Sequence, residues 1–207
     1  MKRLRILVLM NEDLVPPDAP LTGQDVAGAD WKTEYDVVTT LRKLGHDVKP
    51  LGVKSDLGVL RSAIEDWKPH IAFNLLEEFD GMAVYDQNVV SYLELLHVPY
   101  TGCNPRGLML ARDKVLSKKL FSFHRIPFPE FMVVPQGRTV KRPKWLSFPL
   151  IVKSVTEEAS LGISQASIVL DDDKLKERVE FIHASVGTGA LIERYIEGRE
   201  FYVGVMG

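Results

Sequence analysis

A lysine delivered by a buried strand into a loop of small residues suits a polyphosphate, and Phe148 to Ser164, FPLIVKSVTEEASLGIS, has that form. The apolar run from Pro149 to Val152 predicts a strand buried on both faces, and Lys153 stands where the pattern stops. Beyond it, Ala159, Ser160 and Gly162 are small enough for backbone N–H groups to approach an anion closely. The same residues also read as an ordinary β-hairpin whose lysine snorkels to solvent. A second stretch, Gly189 to Gly207, runs an apolar strand (Ala190 to Ile192) into Glu193. It continues through Arg194, Tyr195 and Ile196, turns at Glu197-Gly198, and predicts a further strand from Glu200. Two strands joined by an irregular connector leave backbone groups available to a flat heterocycle, and Glu200 is placed to accept from sugar hydroxyls.

Taken together the two stretches resemble the ATP-grasp superfamily and, within it, the D-alanine-D-alanine ligases. The residues that carry the resemblance are Pro99-Tyr100-Thr101-Gly102, Asp113-Lys114 with Ser117-Lys118 one turn on, Pro149 to Lys153, Glu157 to Gly162, and Glu193 to Val203. It implies ATP as cofactor, with Lys114, Lys153, Glu157, Glu193, Arg194, Ile196 and Glu200 on the nucleotide, and Ser160 and Gly162 in the loop that closes over the reacting phosphate. The implied reaction joins a carboxylate to an amine through an acyl phosphate, on a small amino acid or peptide, as part of cell-wall biogenesis. Magnesium belongs to that chemistry, but the family's ligands for it are expected downstream of this chain, so no metal residue is assigned. Glu34 is the nearest candidate for the substrate-facing carboxylate, and it also reads as a favourable acid in a helix's first turn. A homodimer is the assembly left open.

Departures from the family's pattern are local. A Gly-rich turn after the first strand is replaced by Met10-Asn11-Glu12-Asp13, and a His-Gly step near the third by Phe73-Asn74-Leu75-Leu76. The loop's first serine is replaced in Glu158-Ala159-Ser160-Leu161-Gly162.

Composition sets the outer bounds. The chain has 207 residues, 45% hydrophobic and 26% charged, with a net charge of -2, which is ordinary for a globular chain with room for two small cores. Nothing points to nucleic acid or a membrane, since no apolar run approaches the roughly 20 residues that span a bilayer. One cysteine, Cys103, excludes an internal disulfide framework and fits a reducing cytoplasm. The five histidines lie far apart without ligand spacing.

The elements that position these residues read as α/β. Leu4 to Met10, Asp47 to Val53 and His70 to Leu76 predict strands. Helices from about Trp31 to Leu44 and from a Ser55 cap to Trp67 separate them, and Asn11 to Asp30 predicts a long loop. This βαβαβ order implies a parallel sheet with ligands at the carboxyl ends of its strands, where Asn11, Glu12, Glu77 and Glu78 fall. A helix from about Val84 to Leu96 and a return to the sheet at Val98 to Gly102 close a first domain, residues 1–102, of the kind that precedes an ATP-grasp fold. Asn104-Pro105 starts one helix expected to run to about Phe123. Strands at Glu130 to Val134, Pro149 to Lys153 and Ser167 to Leu170 follow. The basic turn Lys141 to Lys144 reads as plain surface, and Asp171 opens a helix to about Ser185. Residues 103–207 are expected to hold the linking helix, the first ATP-grasp subdomain and one strand of an incomplete second. Two functions are carried: part of an ATP-dependent carboxylate-amine ligase, or a nucleotide-binding module without catalysis.

Overall fold

The computed structural model describes residues 2–19, 23–156 and 164–205. The chain divides into two compact units, Met1–Met109 and Leu110–Gly207. The first holds strands β1 (Arg5–Asn11), β2 (Asp47–Val53) and β3 (Ile71–Asn74) in one parallel sheet of order β2-β1-β3. Its helices are α1 (Gly23–Ala27), α2 (Lys32–Lys43), α3 (Gly58–Trp67) and α4 (Asp86–Leu95). As the central strand, β1 is buried on both faces, which its unbroken apolar run requires. Ile6, Val8 and Met10 pack with Val38 of α2, while Leu7 and Leu9 pack with Leu60 of α3 and Val89 and Leu93 of α4. After Val98 the chain returns to the sheet beside β3: the Ala72 N–H donates to Pro99 O, the Ala72 carbonyl accepts from Thr101 N, and the Asn74 N–H donates to Thr101 Oγ1 at 3.1 Å.

Several local expectations change. The segment after β1 is not a bare loop, since it contains a 3-10 turn at Glu12–Leu14 and α1. Asn11 makes the turn possible by accepting from the Asp13 N–H. Ser55 does not cap α3. Asp56 accepts from Gly58 N at 2.7 Å instead, and Lys68 in the left-handed region ends the helix one residue before Pro69. At the end of α2, Gly45 takes the positive φ of 86° that lets His46 N reach back to Leu41 O, as expected of a C-terminal glycine.

One expected helix is two, α5 (Pro105–Arg112), which spans the division between the units, and α6 (Lys114–Phe123) in the second unit. Asp113 breaks them apart, because its extended backbone lets its carboxylate accept from both Val115 N and Leu116 N. That is the competition between a short polar side chain and the helix that turns such residues into caps. An antiparallel sheet follows, of order β4-β7-β5-β6, made from β4 (Phe131–Val134), β5 (Leu150–Ser154), β6 (Ile168–Val169) and β7 (Ala190–Arg194). Ser167 belongs to a 3-10 turn rather than to β6. Helix α7 (Asp172–Phe181) is capped by Asp171 and passes into a π-helical turn at Ile182–Val186. The strand expected from Glu200 does not form among the described residues, and Phe201 to Val205 are exposed.

Candidate functional site

Strand alternation decides what each face of the second sheet does. In the β5–β7 ladder Val152 pairs with Ile192 and Lys153 with Leu191. Leu150, Val152, Ala190 and Ile192 therefore share one face, where they form a core with Leu175 and Val179 of α7. Lys153 and Glu193 share the other face with Phe131 of β4, which pairs with Glu193.

On that face Glu193 is only 5% exposed and divides its oxygens between two lysines. Oε1 is 2.9 Å from Lys118 Nζ, and Oε2 accepts from Lys153 Nζ at 3.1 Å. The lysines differ in access: the Lys118 side chain is 10% exposed and that of Lys153 28%. Lys118 is enclosed by aromatic rings, its Nζ lying 5.5 Å from the centroid of Phe128 and 5.3 Å from that of Phe131. Lys114 opens α6, and its N–H donates to Val155 O, two residues past Lys153, at 3.4 Å. The Asp113 cap thus fixes the start of a helix that holds Lys114 to the end of β5 and places Lys118 one turn further on.

The structure brings Lys153 and Glu193 together and ties Lys114 to the same strand end. Arg194 closes β7 with an exposed side chain, and Ile196 is 59% exposed on the connector that follows. Glu200 is exposed, and among the described residues no hydrogen bond or ion pair joins it to Lys153 or Glu193. Glu157, Ser160 and Gly162 lie outside the described residues. Glu34 falls in the first turn of α2, in the other unit. It is 5% exposed, and its Oε2 lacks a hydrogen-bond partner among the described residues. At the carboxyl edge of the parallel sheet, Asn11 donates to Glu78 Oε1 at 2.7 Å and Lys54 pairs with Asp13 at 2.8 Å. The sequence places Lys118 one turn on from Lys114 and assigns it no role at the site. Its periodic position on α6 was visible, but the aromatic pair that covers it, Phe128 and Phe131, lies beyond the helix and gave no local signal.

The site thus consists of a strand-end lysine and a buried glutamate from the adjacent antiparallel strand, flanked by a lysine-bearing helix. Residues 120–207 match the family described as D-ala D-ala ligase C-terminus. The chain is 33% identical over 179 residues to the uncharacterized protein y4sG of Sinorhizobium fredii, with 83% of this chain and 51% of that one covered. It is 30% identical over 171 residues to the D-alanine-D-alanine ligase of Geobacter sulfurreducens, covering 82% and 51% respectively. In fold it matches the Bacillus anthracis D-alanine-D-alanine ligase complexed with ATP, with a TM-score of 0.69 and 23% identity over 94% of this chain and 60% of that one. The chain is thus similar in sequence and in fold to the D-alanine-D-alanine ligases. It spans about half the length of these curated relatives.

Proposed function

We propose that this chain supplies the nucleotide-phosphate site of an ATP-dependent carboxylate-amine ligase acting on a small amino acid or peptide. The observation that carries the reading is the Lys153–Glu193 pair: a half-buried ammonium whose present partner is a side chain that another cation also satisfies. Phosphoryl transfer needs positioning and charge neutralisation more than covalent help from the protein. Lys153 and Lys114 supply fixed positive charge at one strand end, and the adjoining loop carrying Ser160 and Gly162 is assigned to shield the acyl phosphate from water. Arg194, Ile196 and Glu200 are assigned to the base and ribose, Glu34 to the substrate side, and residues 1–102 to the substrate domain.

ATP fits these residues in charge. Magnesium does not yet have a home, because among the described residues no three His, Cys, Asp or Glu side chains gather as a metal site; no step is assigned to it here. The Lys153–Glu193 pair serves equally a second reading, nucleotide binding without ligation.

Calorimetric titration with ADP tests the shared part of both readings. Saturable binding that weakens in Lys153→Ala is expected, and a folded protein that binds no ADP overturns both. Phosphate release from ATP with magnesium and a panel of D-amino acids separates them. Turnover above the Lys153→Ala background supports the ligase, and its absence in a protein that binds ADP supports binding alone.

A further inference from the structure

Glu193 raises a physical problem that the nucleotide reading does not address. It is a buried carboxylate, and a buried charge stripped of its partner is strongly destabilising. If Lys153 were its only counter-ion, each phosphate that drew Lys153 away would strand that charge. The structure supplies a second cation. Lys118 reaches the other carboxylate oxygen at 2.9 Å, has one-third of the exposure of Lys153, and is held against two aromatic faces. Cation–π attraction strengthens as the cation is desolvated, so Lys118 is the partner that stays.

We propose that Lys118 is a positioning residue, a resident counter-ion that keeps Glu193 compensated and leaves the Lys153 ammonium exchangeable for a phosphate oxygen. The proposal rests on the nucleotide-binding reading for its purpose, but its electrostatic content concerns only these three side chains. In Lys118→Met, Glu193 depends wholly on Lys153 and holds it. Ligands with phosphate should then lose affinity, while a nucleoside that never meets Lys153 should not.

Two measurements test it. The rate at which acetic anhydride modifies Lys153, read by peptide mass spectrometry on the ligand-free protein, should fall in Lys118→Met by on the order of tenfold, as expected for an amine held by one charged partner. Affinity for ADP should fall by about tenfold, while that for adenosine changes by less than about twofold. Lys118→Arg, which keeps the charge, should restore both. The double variant Lys118→Met with Glu193→Gln replaces the ion pair by neutral groups, a change that cores often tolerate, so it keeps the test available if Lys118→Met does not fold. In it Lys153 should be modified at least as fast as in the wild type. Unchanged modification of Lys153 in folded Lys118→Met, equal losses for ADP and adenosine, or slow modification in the double variant would each overturn the proposal. Failure of the wild type to bind ADP would remove the proposed function yet leave the modification rates to decide the role of Lys118.

Discussion

Lys153 and Glu193 are diagonal neighbours across the β5–β7 ladder. In register Lys153 faces Leu191 and Glu193 faces Ile151, yet the lysine ammonium reaches the glutamate at 3.1 Å. Diagonal positions on one face lie within reach of long side chains. The sheet thereby turns Leu150, Val152, Ala190 and Ile192 toward α7 and Lys153 and Glu193 to the opposite face, so a change in the charged pair need not disturb the core.

Replacement of Lys153 by alanine follows from that separation. ADP affinity should weaken by roughly 1.5 to 3 kcal/mol, the range for a hydrogen bond to a charged group. The melting temperature should hardly move, because Lys118 continues to neutralise Glu193. Calorimetry and a thermal melt on the same preparation decide it; a large fall in melting temperature with unaltered binding would make Lys153 structural.

The opposite face predicts the opposite behaviour. Ile192 is fully buried in the cluster with Val152, Leu175 and Val179. Ile192→Ala should cost about 2 to 5 kcal/mol, through lost apolar burial and the cavity left behind. Urea unfolding measures it, and a cost below that of a single methyl group would show that α7 closes onto the gap.

What the sequence made legible was periodic. Asp47 to Val53 is recovered with its bounds intact from its place in the βαβαβ order, although it is a half-buried edge strand, and β1 and β5 are recovered within a residue or two because their apolar runs read as strand. Lys153 and Glu193 stood out for the same reason, as charges where such runs stop. Asp113 was read as part of one continuous helix, since nothing in local propensity shows that its carboxylate will claim two backbone N–H groups. Arg142 was read as plain surface, yet it donates to Asp172 thirty residues away and to Leu146 O, and lies 4.4 Å from the Phe148 ring centroid. Long-range partners of this kind exist only once the chain has folded.

That pair carries a pH dependence. The hydrogen bond from the Arg142 guanidinium holds the Asp172 carboxyl below the usual carboxylate range. A carboxylate depressed in the folded state adds stability above its unfolded pKa of about 3.9, and loses it as pH falls through the lower folded value. The stability difference between wild type and Asp172→Asn should therefore be constant near neutral pH and vanish in acid. Urea midpoints across pH 2 to 7 test this, and a difference that persists below both pKa values would mean that the contact acts by packing rather than charge. Added salt should shrink the neutral-pH difference, since Asp172 is exposed.

Asp113→Ala removes the cap that divides α5 from α6 and should cost about 0.5 to 2 kcal/mol, the range for loss of an N-cap side chain. Asp113→Asn keeps an acceptor oxygen and should retain most of that stability. The cap also sets where Lys114 begins the helix beside Val155, so the alanine variant should lose ADP affinity as well. Equal stability of the alanine and asparagine variants would show that the helix break is imposed by the surrounding packing and not by the carboxylate.

In the first unit, Gly52 determines how the segment after β1 lies. A Cβ at this position would sit 2.8 Å from both Glu12 Cα and Val15 Cγ2, closer than real side-chain carbons approach backbone. Because Gly52 pairs with Met10 in the parallel ladder, the obstacle would meet the chain just as it leaves the sheet's carboxyl edge. Gly52→Ala should therefore push the Glu12–Leu14 turn outward, at a cost of about 1 to 3 kcal/mol, as for other overpacked sites. The displacement should also separate Lys54 from Asp13, whose carboxylate now holds the lysine at 2.8 Å by hydrogen bond and charge and raises its pKa. Stability by urea unfolding and the Lys54 titration by NMR of the labelled side chain report the two effects independently. Loss of stability with an unmoved Lys54 titration would place the strain in β2 itself, and an alanine variant as stable as the wild type would show that the turn yields without cost.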